Sequence, residues 1–223
     1  MKLPVFILLL LVIGMASCKK EVDDAPVNPA TTNLNVVNAT ADTLNFYVNG
    51  SRINVNSSLY PLGYSGYTGV AVGEYNFQFK KAGKPAILFE LPAVLESAVT
   101  YSAFVGGLSA EESFSIIDTL KADTSGRAMV RFVNSSPGTG NLDVYVGAGD
   151  TVNFKARAFK TATVFVPVTP GNKSVRLQQS GSAAVLATVT RTFLAGRIYT
   201  IFSKGTVAGV GDNAIGTGLV VNR

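Results

Sequence analysis

A two-residue alternation of apolar and polar side chains runs through Leu44-Asn45-Phe46-Tyr47-Val48, Tyr75-Asn76-Phe77-Gln78-Phe79 and Lys173-Ser174-Val175-Arg176-Leu177. Successive side chains of a strand point to opposite faces, so this period predicts strands with one face buried and one in water. Ala98 to Val105 and Arg197 to Phe202 are rich in β-branched and aromatic residues and also read as strands. Turn residues interrupt the pattern at Asn49-Gly50, Gly73-Glu74, Ala82-Gly83, Thr169-Pro170-Gly171 and Ser180-Gly181-Ser182. No comparable stretch beyond Cys18 carries a helical stripe. About seven short strands in roughly 95 residues predict an all-β unit: a β-sandwich of immunoglobulin-like or transthyretin-like type, with an open barrel as the alternative.

The pattern occurs twice. Val37-Asn38-Ala39 aligns with Val133-Asn134-Ser135 at an offset of 96 residues, and from Leu44 onward the offset is 98. It then pairs Leu44 with Leu142, Tyr47 with Tyr145, Gly73 with Gly171, Gly83 with Gly181, Tyr101 with Tyr199 and Phe104 with Phe202. The step reflects two extra residues around Pro137 to Gly140 in the second copy. A constant offset of this kind implies a tandem duplication, with one sandwich over 32–125 and its copy over 126–223.

The N-terminus follows different rules. Leu3 to Ile13 is an apolar run behind Lys2, shorter than the ~20 residues a membrane span needs, so it reads as a signal peptide. Gly14-Met15-Ala16-Ser17 then leads into Cys18, the only cysteine. This arrangement resembles a bacterial lipoprotein signal, in which the cysteine thiol is lipidated and the residue becomes the new N-terminus. The resemblance implies a signal peptide over 1–17, a lipid attachment site at Cys18 and a membrane partner reached through that anchor. Residues 18–31 are rich in charge and proline and read as a flexible tether. Glu21, Asp23 and Asp24 resemble a surface-export signal of one phylum of Gram-negative bacteria, and Lys19 stands where inner-membrane lipoproteins often carry Asp. An outward-facing outer-membrane protein is the expectation.

Composition narrows the chemistry. The chain has no His, no Trp and one Cys, which excludes His-dependent triads, His-ligated metals and internal disulfides or thiolate zinc clusters. No cofactor, no metal and no catalytic residue is expected. Paired carboxylates are the remaining route to hydrolysis. The second copy has only Asp143, Asp150 and Asp212. Asp143 alternates with Leu142 and Val144, aligns with Asn45 and reads as a strand-face group, with Arg131 as its suggested partner. In the first copy Glu111, Glu112, Asp118 and Asp123 read as solvated charge near the junction. Gly209-Val210-Gly211-Asp212-Asn213-Ala214 matches a dinucleotide fingerprint only superficially, because it leads into another loop rather than a helix.

Charge divides unevenly. Residues 32–125 hold 5 basic and 8 acidic groups, net −3, whereas 126–223 hold 11 and 3, net +8. The basic copy suits an anionic glycan, lipopolysaccharide, an envelope protein or the acidic first copy. Its charges are scattered without interleaved aromatics, so nucleic acid is not expected. Tyr60, Tyr64 and Tyr67 lie in one Gly-rich segment, and the second copy has Ala158, Ala162 and Phe165 at those positions. Tyr60 and Tyr64 are the expected ligand contacts, able to stack on a sugar or peptide, and Tyr67 is expected to pack.

Val130-Arg131-Phe132-Val133-Asn134-Ser135-Ser136-Pro137, followed by Leu142-Asp143-Val144-Tyr145-Val146, resembles the start of domain of unknown function 4397. Val166 to Gly171 and Ala195 to Phe202 continue the resemblance. The first copy departs from it: Asn35 replaces Arg131 and Asn45 replaces Asp143. The resemblance implies tandem copies in an envelope or secreted protein and implies no activity. The expected function is therefore a non-enzymatic envelope lipoprotein used for binding, adhesion or scaffolding. A purely structural spacer and a carboxylate-dependent polysaccharide hydrolase are the alternatives.

Overall fold

The computed structural model describes residues 30–149 and 153–222; the expected signal peptide, Cys18 and nearly all of the tether lie outside the described residues. The first copy contributes β1 (Thr31–Asn38), β2 (Leu44–Val48), β3 (Ser51–Arg52), β4 (Thr68–Ala71), β5 (Gly73–Lys81), β6 (Phe89–Leu95), β7 (Thr100–Val105) and β8 (Ser113–Ile117). The second contributes β9 (Ala128–Val133), β10 (Leu142–Val146), β11 (Phe154–Arg157), β12 (Val166–Val168), β13 (Gly171–Gln179), β14 (Val185–Phe193), β15 (Ile198–Lys204) and β16 (Gly216–Val221). The first copy's sheets are ordered β4-β1-β7-β8 and β3-β2-β5-β6, and the second repeats this as β12-β9-β15-β16 and β11-β10-β13-β14. β1 runs parallel to β7, and β9 parallel to β15. Each copy is thus an eight-stranded sandwich of the transthyretin type. An immunoglobulin sandwich would place A-B-E-D over C-F-G.

Three apolar clusters hold four layers together. Leu34, Phe46, Phe77 and Phe79 fill the first sandwich, and Phe132, Leu142, Leu177 and Phe193 fill the second. A third cluster lies between the copies, built from Val37, Ala39 and Phe104 on one side and Val133, Phe202 and Val220 on the other. The sheets containing β1 and β9 are therefore inner layers, buried on both faces. On β15, Tyr199 and Ile201 point into their own sandwich, while Phe202 meets the other copy. The alternation survives in the outer sheets, as β13 shows, but β15 is buried at six consecutive positions from Ile198 to Ser203.

Positions repeated between the copies have structural reasons. Gly83 and Gly181 turn the hairpins β5–β6 and β13–β14 at φ 73° and 77°, a conformation that strains any residue with a β-carbon. The Tyr101 and Tyr199 hydroxyls accept the backbone N–H of Glu96 and Leu194 at 3.2 and 3.0 Å. The buried Asn38 side chain donates to the carbonyls of Asp42 and Leu59, and Asn134 donates to those of Gly140 and Arg157. Asn38 ties the loop after the first strand to the segment leading into the fourth, and Asn134 ties its loop to the end of the third strand. Between the copies the fit is close: a β-carbon at Gly106 would stand 2.3 Å from the Ser135 carbonyl oxygen.

Phe104 and Phe202, equivalent residues of the two copies, meet edge to face with centroids 6.0 Å apart. Phe104→Ala is expected to cost about 3–5 kcal/mol of stability in denaturant titration, the range for truncating a buried aromatic. A loss below ~1 kcal/mol would contradict a packed interface.

Candidate functional site

The most concentrated polar chemistry lies between the copies. Asp118 follows β8 and donates its backbone N–H to Thr100; Asn222 follows β16 and donates to Ile198. Thr100 and Ile198 are equivalent positions, so Asp118 and Asn222 are equivalent too. Their offset is 104 rather than 98, because six more residues lie between the paired Ser203 and Thr217 than between the equivalent pair Val105 and Ser113. The guanidinium of Arg131, on β9, forms an ion pair with Asp118, and the two side chains are 3% and 0% exposed. Arg131 Nε donates to Thr200 Oγ1 at 2.9 Å, and Thr200 donates to Asn222 Oδ1 at 2.7 Å. Asn222 Nδ2 donates to the Tyr67 hydroxyl at 2.8 Å, which donates to Asp118 Oδ2 at 2.6 Å. The ring is closed, and each shared hydroxyl both accepts and donates.

The surroundings tune this ring. Ser102 donates to Asp118 Oδ2 at 2.6 Å, and the Phe165 ring lies 4.6 Å from the Arg131 guanidinium carbon. Burial, then the Asp118 charge and its hydrogen bond, hold the Tyr67 hydroxyl above the usual phenol range. Asp118 is thus locked in the interface, not solvated as its acidic neighbourhood suggested. Arg131 is paired with Asp118 and not with Asp143. Asp143 lies on the outer sheet, where its Oδ1 accepts the Ala156 N–H at 2.6 Å. Arg131 lies on the inner sheet, so the two never share a face. Tyr67 does more than pack: its hydroxyl is a member of the ring.

Tyr60 and Tyr64 sit apart from the ring. They are 62% and 37% exposed and border a cavity of ≈ 260 Å³ that Asn54, Asn56, Ser57 and Thr68 also line. The loop is pinned on both sides: Leu59 and Leu44 exchange backbone hydrogen bonds at 2.8 and 2.9 Å, and Val36 N–H donates to Ser65 Oγ at 2.9 Å. Tyr64 bridges Val37 as Ala162 bridges Val133, so the tyrosines stand on a frame common to both copies. The glycine-rich segment near Asp212 forms a short 3-10 turn, Gly211–Asn213, between β15 and β16, with no nucleotide-binding geometry. Among the described residues no three of His, Cys, Asp and Glu sit close enough to hold a metal ion. The described ion pairs are Arg131–Asp118 and Lys81–Asp42, so the opposed charges of the copies meet as an ion pair at one buried point.

These features define a protein of two transthyretin-type sandwiches, fused face to face through a largely buried polar ring. The chain belongs to the family described as domain of unknown function (DUF4397), whose model matches residues 32–145 and 128–222. The second match spans β9 to β16, and the two overlap over β9 and β10. No curated protein matches the chain. The family-like stretch has structural work throughout: Arg131 joins the copies, Asn134 ties a loop, and Ser135 and Ser136 bond to Ser203.

Asp118→Ala leaves the Arg131 charge buried without a partner and is expected to cost about 3–5 kcal/mol. Asp143→Asn keeps an acceptor for Ala156 and is expected to cost under ~1 kcal/mol; equal losses in denaturant titration would contradict the assignment. Tyr67 adds a pH dependence. Because its folded pKa is raised, its contribution is complete below the unfolded tyrosine value of about 10 and is lost as pH rises beyond it. The stability gap between wild type and Tyr67→Phe is therefore expected to narrow above about pH 10. A gap that stays constant there would exclude a buried neutral hydroxyl.

Proposed function

We propose that this chain is a non-enzymatic lipoprotein of the bacterial outer membrane, anchored through Cys18, that carries its double sandwich outward as a binding module. The observation behind the anchor is the placement of the only cysteine, directly after a short apolar run and four small or apolar residues, ahead of a charged tether. Acyl chains contribute about 0.8 kcal/mol per buried CH₂, so two or more hold a protein firmly at a membrane. Binding is favoured over a passive spacer by Tyr60 and Tyr64. They are exposed aromatics on a pinned loop, beside a cavity, where the second copy has alanines. The polar lining suits a glycan or an extended peptide of another envelope protein. The basic second copy favours an anionic partner, such as lipopolysaccharide or an acidic glycan. Against hydrolysis, Asp118 and Asp143 are each occupied by bonds that hold the fold.

Palmitate labelling is expected in wild-type cells and absent for Cys18→Ala; a labelled variant would overturn the anchor. Protease shaving of intact cells is expected to remove the body, and protection would contradict the outward orientation. On a glycan array, the tyrosine pair Tyr60→Ala/Tyr64→Ala is expected to weaken binding about tenfold or more with an unchanged melting temperature. Turnover of a polysaccharide that disappears in Asp143→Asn would instead revive hydrolysis.

A further inference from the structure

The two copies pair as an isologous dimer would, yet the pairing faces carry different charges. Equivalent residues meeting each other are the mark of a twofold contact, and Phe104 meets Phe202 in this way. The polar ring obeys the same pseudo-symmetry. In the second copy Arg131 donates to Thr200, which donates to Asn222. In the first copy Asn35 donates to Ser102, which donates to Asp118. Asn35, Ser102 and Asp118 are the counterparts of Arg131, Thr200 and Asn222. Two bonds cross the interface, one ionic from Arg131 to Asp118 and one neutral from Asn222 to the Tyr67 hydroxyl, and each uses one member of the equivalent pair Asp118 and Asn222.

Three differences make this asymmetry, while Ser102 and Thr200 each supply a hydroxyl. Asn35 stands opposite Arg131, Tyr67 opposite Phe165, and Asp118 opposite Asn222. The long guanidinium goes with a phenyl ring, and the short amide goes with a phenol whose hydroxyl accepts the crossing bond from Asn222. Asn35 Oδ1 is buried without a hydrogen-bond partner, an acceptor that the equivalent Arg131 guanidinium does not carry.

We propose that these three positions form a pairing code: the inner face of each copy accepts a face of the other kind and rejects its own. Two faces of the first kind would bury two Asp118 carboxylates with no cation between them. Two of the second kind would seal in two Arg131 guanidinium groups with no anion. Each mismatch buries uncompensated charge, which is how a contact discriminates by rejection. The partner that fits the first copy is thus the second copy of the same chain. A neighbouring molecule is kept from mispairing like with like at this face.

The code is tested by exchanging it within the full chain. Asn35→Arg/Tyr67→Phe/Asp118→Asn gives both faces the second kind. Arg131→Asn/Phe165→Tyr/Asn222→Asp gives both faces the first. Each triple variant is expected to lower the melting temperature by on the order of 10 °C. Each is also expected to speed tryptic cleavage at Lys121 or Arg127, between the copies. The six-fold variant restores opposite kinds with the charges exchanged, and is expected to recover at least about half of that loss. Recovery supports the code, as does a six-fold variant that folds where the triples do not. A six-fold variant no more stable than the better triple, or triples that melt like wild type, would overturn it.

Discussion

The guanidinium of Arg131 sits where water cannot solvate it, and the shape of the molecule follows from how that charge is met. A buried cation needs an anion and a full set of acceptors, because its desolvation outweighs any one contact. Here the anion comes from the other copy: Asp118 pairs with Arg131, while Thr200, Asn222 and Tyr67 close the ring. Such a pair adds little net stability compared with a well-packed apolar substitute. What it adds is orientation, since the ring closes in one docking geometry. The apolar cluster around Phe104 and Phe202 supplies the adhesion, and the ring supplies the register.

Much of the architecture was legible because outer strands obey a simple rule. β5 and β13 alternate, so their period and their shared glycines revealed both the strand type and the duplication. The inner strands break the rule for a physical reason. With a sandwich core on one face and the other copy on the other, β1, β7, β9 and β15 bury both faces. Their nearly continuous burial marks them as strands without saying what the second face touches.

The site was harder to read. Arg131 and Asp143 belong to different sheets of the sandwich, so the partnership suggested for them does not form. Asp118 and Asn222 are equivalent, but six extra residues in the hairpin between the paired Ser203 and Thr217 broke the offset that would have aligned them. Asp118 also lay among exposed acidic residues, where composition alone points to water. Tyr60, Tyr64 and Tyr67 occupy one segment yet have separate fates, two at the surface and one in the ring. Only the substitution of phenylalanine for Tyr67 at Phe165, beside the alanines at the other two positions, hinted that it was different.

The family resemblance therefore points first to architecture. Arg131, Asn134 and Ser135 are engaged in docking and loop tethering, whereas the exposed Tyr60 and Tyr64 are among the residues that differ between the copies. A duplicated fold allows this division: one face of each copy is used to pair, and the outer loops remain free to diverge. The central claim is that Arg131 and Asp118 act as one unit holding the copies together, and a double-mutant cycle of Arg131→Ala and Asp118→Ala in denaturant titration tests it most directly. A coupling energy above about 1.5 kcal/mol, with the double variant losing much less than the two singles combined, is the predicted result. Losses that add to within ~0.5 kcal/mol would contradict it.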